Sequence, residues 1–246
     1  MTTASARVRA QASYEARTLL SNGEQLLVSL LLPALALVGM ALAHTPYLGP
    51  GRRIDLVVPG VLAMAVVSTA FTGQAIATGF DRRYGVLRFL GTTPLGRGGL
   101  LAGKALAVLT VVALQTVVLA ALGLAFGWHP TLSGVLIAAM FMLLGTFCFV
   151  ALGLLLAGAL RAEAVLAVAN LIWVLLVAVG GLLYPTARMP GVAGQLVRLL
   201  PSGALGDGLR AALTGHDLAL AEPVLVLLVW GGLGTLLALR TFSWSD

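Results

Sequence analysis

With 246 residues, 59% of them hydrophobic and only 10% charged, the chain excludes an ordinary soluble domain, in which about a quarter of residues are charged. The net charge of +6 is weak ground for nucleic-acid binding, because membrane chains concentrate Lys and Arg in cytoplasmic loops beside anionic lipid. The single Cys148 lies in an apolar run, so no intrachain disulfide can form and its expected role is core packing.

In residues 1–23, Ser5 to Leu20 contain no Pro or Gly and place Val8, Ala12, Leu19 and Leu20 loosely on one side of a helix, with Arg7, Arg9, Glu15 and Arg17 polar. The pattern reads as an amphipathic cytoplasmic helix lying on the membrane surface and ended by Asn22-Gly23; a frayed basic tail is the alternative. The apolar run that follows ends Ala41-Leu42-Ala43, which resembles a signal-peptide cleavage site. However, about 18 residues from Leu26 to Ala43 exceed the ~7–15 of a signal-peptide apolar region, so a retained span is expected.

Six spans are predicted, over residues 26–43, 56–79, 105–126, 132–160, 164–183 and 223–239. Most run near 20 residues, which at a 1.5 Å rise matches a hydrocarbon core of ~30 Å. Pro33 is tolerable because neighbouring helices can satisfy the freed carbonyl, and the long fourth span is expected to tilt or project. Small residues such as Gly153, Ala157, Gly231, Gly232 and Gly234 would let helices approach closely. With the N-terminus inside, ten Lys and Arg face the cytoplasm (Arg7, Arg9, Arg17, Arg82, Arg83, Arg88, Arg97, Lys104, Arg161 and Arg240) and five face outward (Arg52, Arg53, Arg188, Arg198 and Arg210). That asymmetry places both termini in the cytoplasm of the cell membrane. His44, His129 and His216 then fall at outer edges without ligand spacing, so no metal site is expected.

Between the second and third spans lies the longest basic interruption, residues 80–104. Val86, Leu87 and Leu90 fall at helical spacing with Phe89 beside them, while Arg82, Arg83 and Arg88 supply polar positions. Gly91 suits a helix stop, and Thr93-Pro94 suits the N-cap and first position of the next helix. Burying three or four such apolar side chains in a partner would contribute about 1.5–3 kcal/mol each, against about 0.2–1 kcal/mol for an exposed arginine pair. The leucine face is therefore expected to dock and the arginines to orient; an interfacial helix anchored in lipid is the alternative. Residues 184–222 hold a second polar interruption. There Met189, Val192, Leu196, Leu199 and Leu200 make one apolar face, and Leu205, Leu209 and Leu213 another beyond Pro201-Ser202-Gly203. Two short helices back to back could dip into the outer leaflet or stand in solvent.

Gly98-x4-Gly103-Lys104 nearly spells a P-loop, but Ala105 replaces the Ser or Thr that would hold Mg²⁺ and no strand precedes it, so ATP binding is rejected. The acids Asp55, Asp81, Glu163, Asp207, Asp217 and Glu222 fall at span ends or in loops, so an ion-coupled carrier is disfavoured. The absence of clustered His, Cys or carboxylates disfavours a membrane enzyme or assembly factor. Gln74, Gln115 and Asn170 inside spans suit interhelical hydrogen bonds.

The run Asp81-Arg82-Arg83-Tyr84-Gly85-Val86-Leu87-Arg88, then Thr92-Thr93-Pro94-Leu95 and Gly103-Lys104, resembles the loop after the second helix of type-2 ABC exporter permeases, closest to the daunorubicin-resistance-like branch. Tyr184-Pro185, Met189-Pro190, Leu200-Pro201 and Asp207-Gly208-Leu209-Arg210 resemble the same family's Pro-rich outer segment. The resemblance implies an all-α membrane protein with six transmembrane helices, an N-terminal surface helix, a cytoplasmic coupling helix and an outer re-entrant helical hairpin. It implies that Asp81, Arg82, Arg83, Tyr84, Gly85, Val86, Leu87, Arg88, Leu90, Thr93 and Pro94 couple to an ATPase, and that Pro185, Pro190, Pro201, Asp207 and Arg210 shape the hairpin. It further implies two ATPase subunits carrying Mg-ATP, a second permease (a copy or a paralogue), no cofactor on this chain, and a hydrophobic or amphipathic cargo. A haem or polysaccharide exporter is the neighbouring possibility.

Overall fold

The computed structural model describes residues 3–21, 23–215 and 220–241, and all regular structure among them is helical. His216 and Asp217, placed by the sequence at an outer edge, lie outside the described residues. The core is a continuous rod from Arg53 to Arg83: α3 (Arg53–Val66), a π-helical stretch (Val67–Gly73) and α4 (Gln74–Arg83). Its most apolar window is 83% buried, against 17% for α8 (Ala162–Val179), which makes the rod the centre of the bundle and α8 its rim. Val57, Val58, Val61, Ala65, Val66 and Ala70 are buried on successive turns, so the rod is apolar on all sides, as a helix enclosed by other helices must be.

Around the rod stand α2 (Gly23–Leu42), α6 (Gly96–Ala125), α7 (Leu132–Ala159) and α8, with α11 (Ala221–Thr241) packed against α7. Five helices among the described residues are long and apolar enough to cross a membrane: the rod, α6, α7, α8 and Ala221–Arg240 within α11. The first expected span falls in α2, whose described apolar stretch is the shorter Ser29–Leu42. The long outer faces of α6, α8 and α11 carry exposed Val117, Leu171, Val174, Leu225 and Leu233, a surface that suits lipid or another helix but not water.

Several boundaries differ from the sequence expectation. α6 begins at Gly96, well before Ala105, because the glycine-rich stretch 96–104 stays helical where α1 (Ala4–Ser21) packs along it. Tertiary contact there overrides the poor helix propensity of glycine. α1 is accordingly docked on α6 with Gln11 buried, rather than lying free. Thr93 does not cap α6: its hydroxyl donates to the Leu90 carbonyl (2.6 Å), and Leu95 occupies the N-cap position. α8 stops at Val179, and Gly181 (φ 81°) turns the chain into a short 3₁₀ turn, Thr186–Arg188. Of the first hairpin helix only α9 (Val192–Arg198) forms, leaving Met189 and Pro190 ahead of it. α10 (Pro201–Thr214) starts on Pro201 itself, at the position where its missing N–H is harmless.

Candidate functional site

The rod ends at Arg83, and Gly85, at φ 78°, takes the left-handed turn that reverses the chain into α5 (Val86–Gly91). Leu87 is fully buried there, packed with Leu100 of α6 and flanked by Leu90 and Leu95. Val86 is half-buried. The leucine face expected to dock on a partner is therefore turned inward, where it fastens α5 to the start of α6. Its burial contributes on the order of 2 kcal/mol per leucine to holding the loop's shape. What the loop presents outward is different: Tyr84 (72% exposed) just after α4, and Phe89 (70% exposed) and Arg88 on α5, with Arg83 beside them. Tyr84 stacks on Phe80, ring centres 6.0 Å apart, so the aromatic tip has a fixed base.

Charged side chains lock this loop to four other elements. Lys104, in the third turn of α6, has no exposed surface and donates to Asp81 of α4 (3.0 Å) and to Glu15 of α1 (2.8 Å). Gln11, one turn before Glu15, donates to the same carboxylate (2.9 Å). Arg82 is buried and donates to the carbonyls of Gly158 (3.0 Å) and Leu160, capping the C-terminal end of α7 where helix carbonyls lack partners. Arg83 pairs with Glu163 at the start of α8; both are half exposed or more, so this pair contributes only about 0–1 kcal/mol. Arg7 of α1 donates to the Pro94 carbonyl, and Arg97 to the Leu239 carbonyl of α11 (2.8 Å). One loop thus touches α1, α6, α7 and α8, with α11 reached through Arg97 of α6.

The second set of expected site residues lies at the opposite end of the rod. Arg210 of α10 is buried, donating to the Gly181 carbonyl (3.0 Å), the Leu182 carbonyl and Asp207 (3.0 Å). Asp207 also accepts from the Thr186 hydroxyl and, at 3.4 Å, from its backbone N–H. These bonds satisfy the backbone where α8 has unwound, and they seat α10 among α3, α7 and α11. Gly60 of α3 leaves the room: a Cβ there would come within 2.6 Å of the Leu182 carbonyl oxygen. Pro185 leads into the 3₁₀ turn, Pro190 is exposed before α9, and Pro201 opens α10. α9 turns Val192, Leu196 and Leu199 outward, away from the bundle. The loop and hairpin residues do not meet; the rod joins them.

Midway along the rod, the π-helical stretch makes the interhelical polar bonds. Thr69 donates to the Gln115 carboxamide of α6 (3.0 Å), whose amide donates to the Ser29 hydroxyl of α2 (3.0 Å). Trp173 of α8 donates to Ser68 (2.7 Å). Gln115 bridges helices as expected, whereas Gln74 and Asn170 bond within their own helices, to Thr78 and to the Leu166 carbonyl. Sequence reasoning missed Glu15, Gln11 and the burial of Lys104. The available signal was a lone lysine placed after Gly103 with apolar residues following it.

Among the described residues, no group of three or more His, Cys, Asp or Glu could hold a metal ion. No curated protein matches the chain. A family model described as ABC-2 family transporter protein matches residues 49–240, from the foot of the rod to the end of α11. That match covers well over half of the 246 residues, including the basic loop, the rod and the hairpin. The chain therefore belongs to the ABC-2 family of transporter proteins, as a membrane-embedded type-2 permease.

Proposed function

We propose that this permease works as the membrane subunit of an ATP-driven exporter, with its basic end in the cytoplasm and its hairpin end outside the cell membrane. In this reading α2 serves as the sixth span; at 20 residues it is about 30 Å long. Two ATPase subunits, carrying Mg-ATP, dock on the loop between α4 and α6, and a second permease completes the pathway. The observation that carries the reading is the exposed tip of Tyr84, Arg88 and Phe89 on a loop whose Leu87 is already buried and whose Leu90 and Leu95 are partly so. Aromatics and arginine are the side chains that dominate protein interfaces, and here the rest of the chain leaves them uncovered.

Closure of the ATPases would push this tip. Because Lys104, Arg82 and Leu87 fix the loop to several helices, the push reaches the rod and its neighbours instead of bending α5 alone. The helices then rock, and cargo leaves beneath α9 and α10. The apolar walls of the spans suit a hydrophobic or amphipathic cargo, drug-like or lipid-like. The test is ATP turnover by the purified complex in lipid: Phe89→Asp should abolish stimulation by the permease while leaving the protein inserted, and unchanged stimulation would refute the docking role.

A further inference from the structure

The matched family region begins at residue 49, so α1 lies outside it, yet α1 packs along the start of α6 and shares a buried lysine with α4. Lys104 Nζ sits between Glu15 of α1 and Asp81 of α4 at 2.8 and 3.0 Å with no exposed surface. A lysine removed from water in this way is retained only where its charge is answered, and both answers come from other elements. The helix surfaces are shaped to let this happen. Gly103 leaves a flat place on α6, where a Cβ would come within 2.8 Å of Gln11. Gln11 in turn orients Glu15 toward the lysine (2.9 Å). Arg7 donates to the Pro94 carbonyl, so α1 is held at two points along its length, both on the arm of the loop that follows α5.

We propose that Lys104 is a positioning residue for transport: it makes α1, α4 and the start of α6 a single body, so that α1 travels with the loop when the ATPase moves it. The lysine acts through Glu15 and Asp81 and touches neither cargo nor nucleotide. This inference rests on the docking role proposed above. A lysine that merely stabilised the bundle would affect assembly or melting but would leave the relative motion of loop and α1 unchanged. Neither acid alone would suffice, because Asp81 reaches only α4 and Glu15 only α1.

The test follows two positions separately in the permease purified with its ATPase and reconstituted in lipid. Spin labels go on Arg9→Cys for α1 or Thr92→Cys for the loop, each paired with one on Leu132→Cys at the far end of α7; all three sites are exposed. Distances are recorded without nucleotide and with ATP plus vanadate. In the otherwise native protein both pairs should shift together, by about 1–2 Å or more, the scale of helix movements at switching interfaces. In Lys104→Met the loop pair should still shift while the α1 pair stays near its resting distance. If both pairs shift equally in that variant, the lysine is not the link and the proposal is overturned. If neither pair shifts in the native complex, the docking reading itself fails and takes this one with it. Should Lys104→Met not insert, Glu15→Ala cuts only the α1 side, leaves the pair with Asp81, and should give the same split between loop and α1.

Discussion

At Gly103 the contact between α1 and α6 depends on a missing methyl group. Alanine there would place a Cβ 2.8 Å from Gln11 Cγ and 3.1 Å from its Cβ, too close to the α1 backbone for a simple rotamer change. Gly103→Ala should therefore lower stability by about 1–3 kcal/mol, as overpacked sites do, and expose α1 to trypsin at Arg9 and Arg17; a melting point and digestion pattern like the parent's would refute the close fit. Arg210 has the opposite problem, a buried charge with three acceptors. Arg210→Leu should cost about 3–5 kcal/mol because it removes the cation beside Asp207 and leaves two carbonyls unmatched, and Arg210→Lys should recover only part of that, since an ammonium cannot reproduce the planar fork. Thermal unfolding in detergent reads both. Neither partner set was legible in the sequence. Asp207 and Arg210 at i, i+3 announce a local pair, but nothing in their spacing points to the Gly181 and Leu182 carbonyls far along the chain.

Among elements, α5 separates what periodicity reveals from what packing decides. Val86, Leu87 and Leu90 at helical spacing identified the helix and its apolar face correctly, yet the spacing could not say whether that face looked outward or inward. Leu100 settles it by arriving on α6 to cover Leu87. Leu87→Asp should then damage the loop itself, costing on the order of 4 kcal/mol through a buried unpaired charge. Phe89→Asp, on the exposed side, should change stability by no more than about 0.5 kcal/mol while removing ATPase stimulation. Paired melting and turnover measurements distinguish the two; equal destabilisation by both would mean the faces are assigned the wrong way round. The long helices were legible because a run of apolar residues about 20 long has few alternatives. Their ends were less so, since α6 extends through glycines only because α1 supports it.

At the scale of the whole molecule, the rod from Arg53 to Arg83 connects the polar constellation of α10 with the basic loop, and the π-helical stretch in its middle ties it to α2, α6 and α8. In the proposed reading the two ends lie on opposite sides of the membrane. Cysteines at Arg88 and Arg198 should therefore react with an impermeant reagent from opposite faces, and same-side labelling would overturn the orientation. The family could be read from two short motifs, but the clamp around Lys104 could not, because Glu15, Asp81 and Lys104 meet only after three helices have packed. The most direct measurement is to extract the protein from its native host in mild detergent and assay what accompanies it. A P-loop ATPase should co-purify in roughly equal amount and lose that association in Phe89→Asp; a permease that consistently emerges without any ATP-hydrolysing partner would contradict the coupling role of the loop.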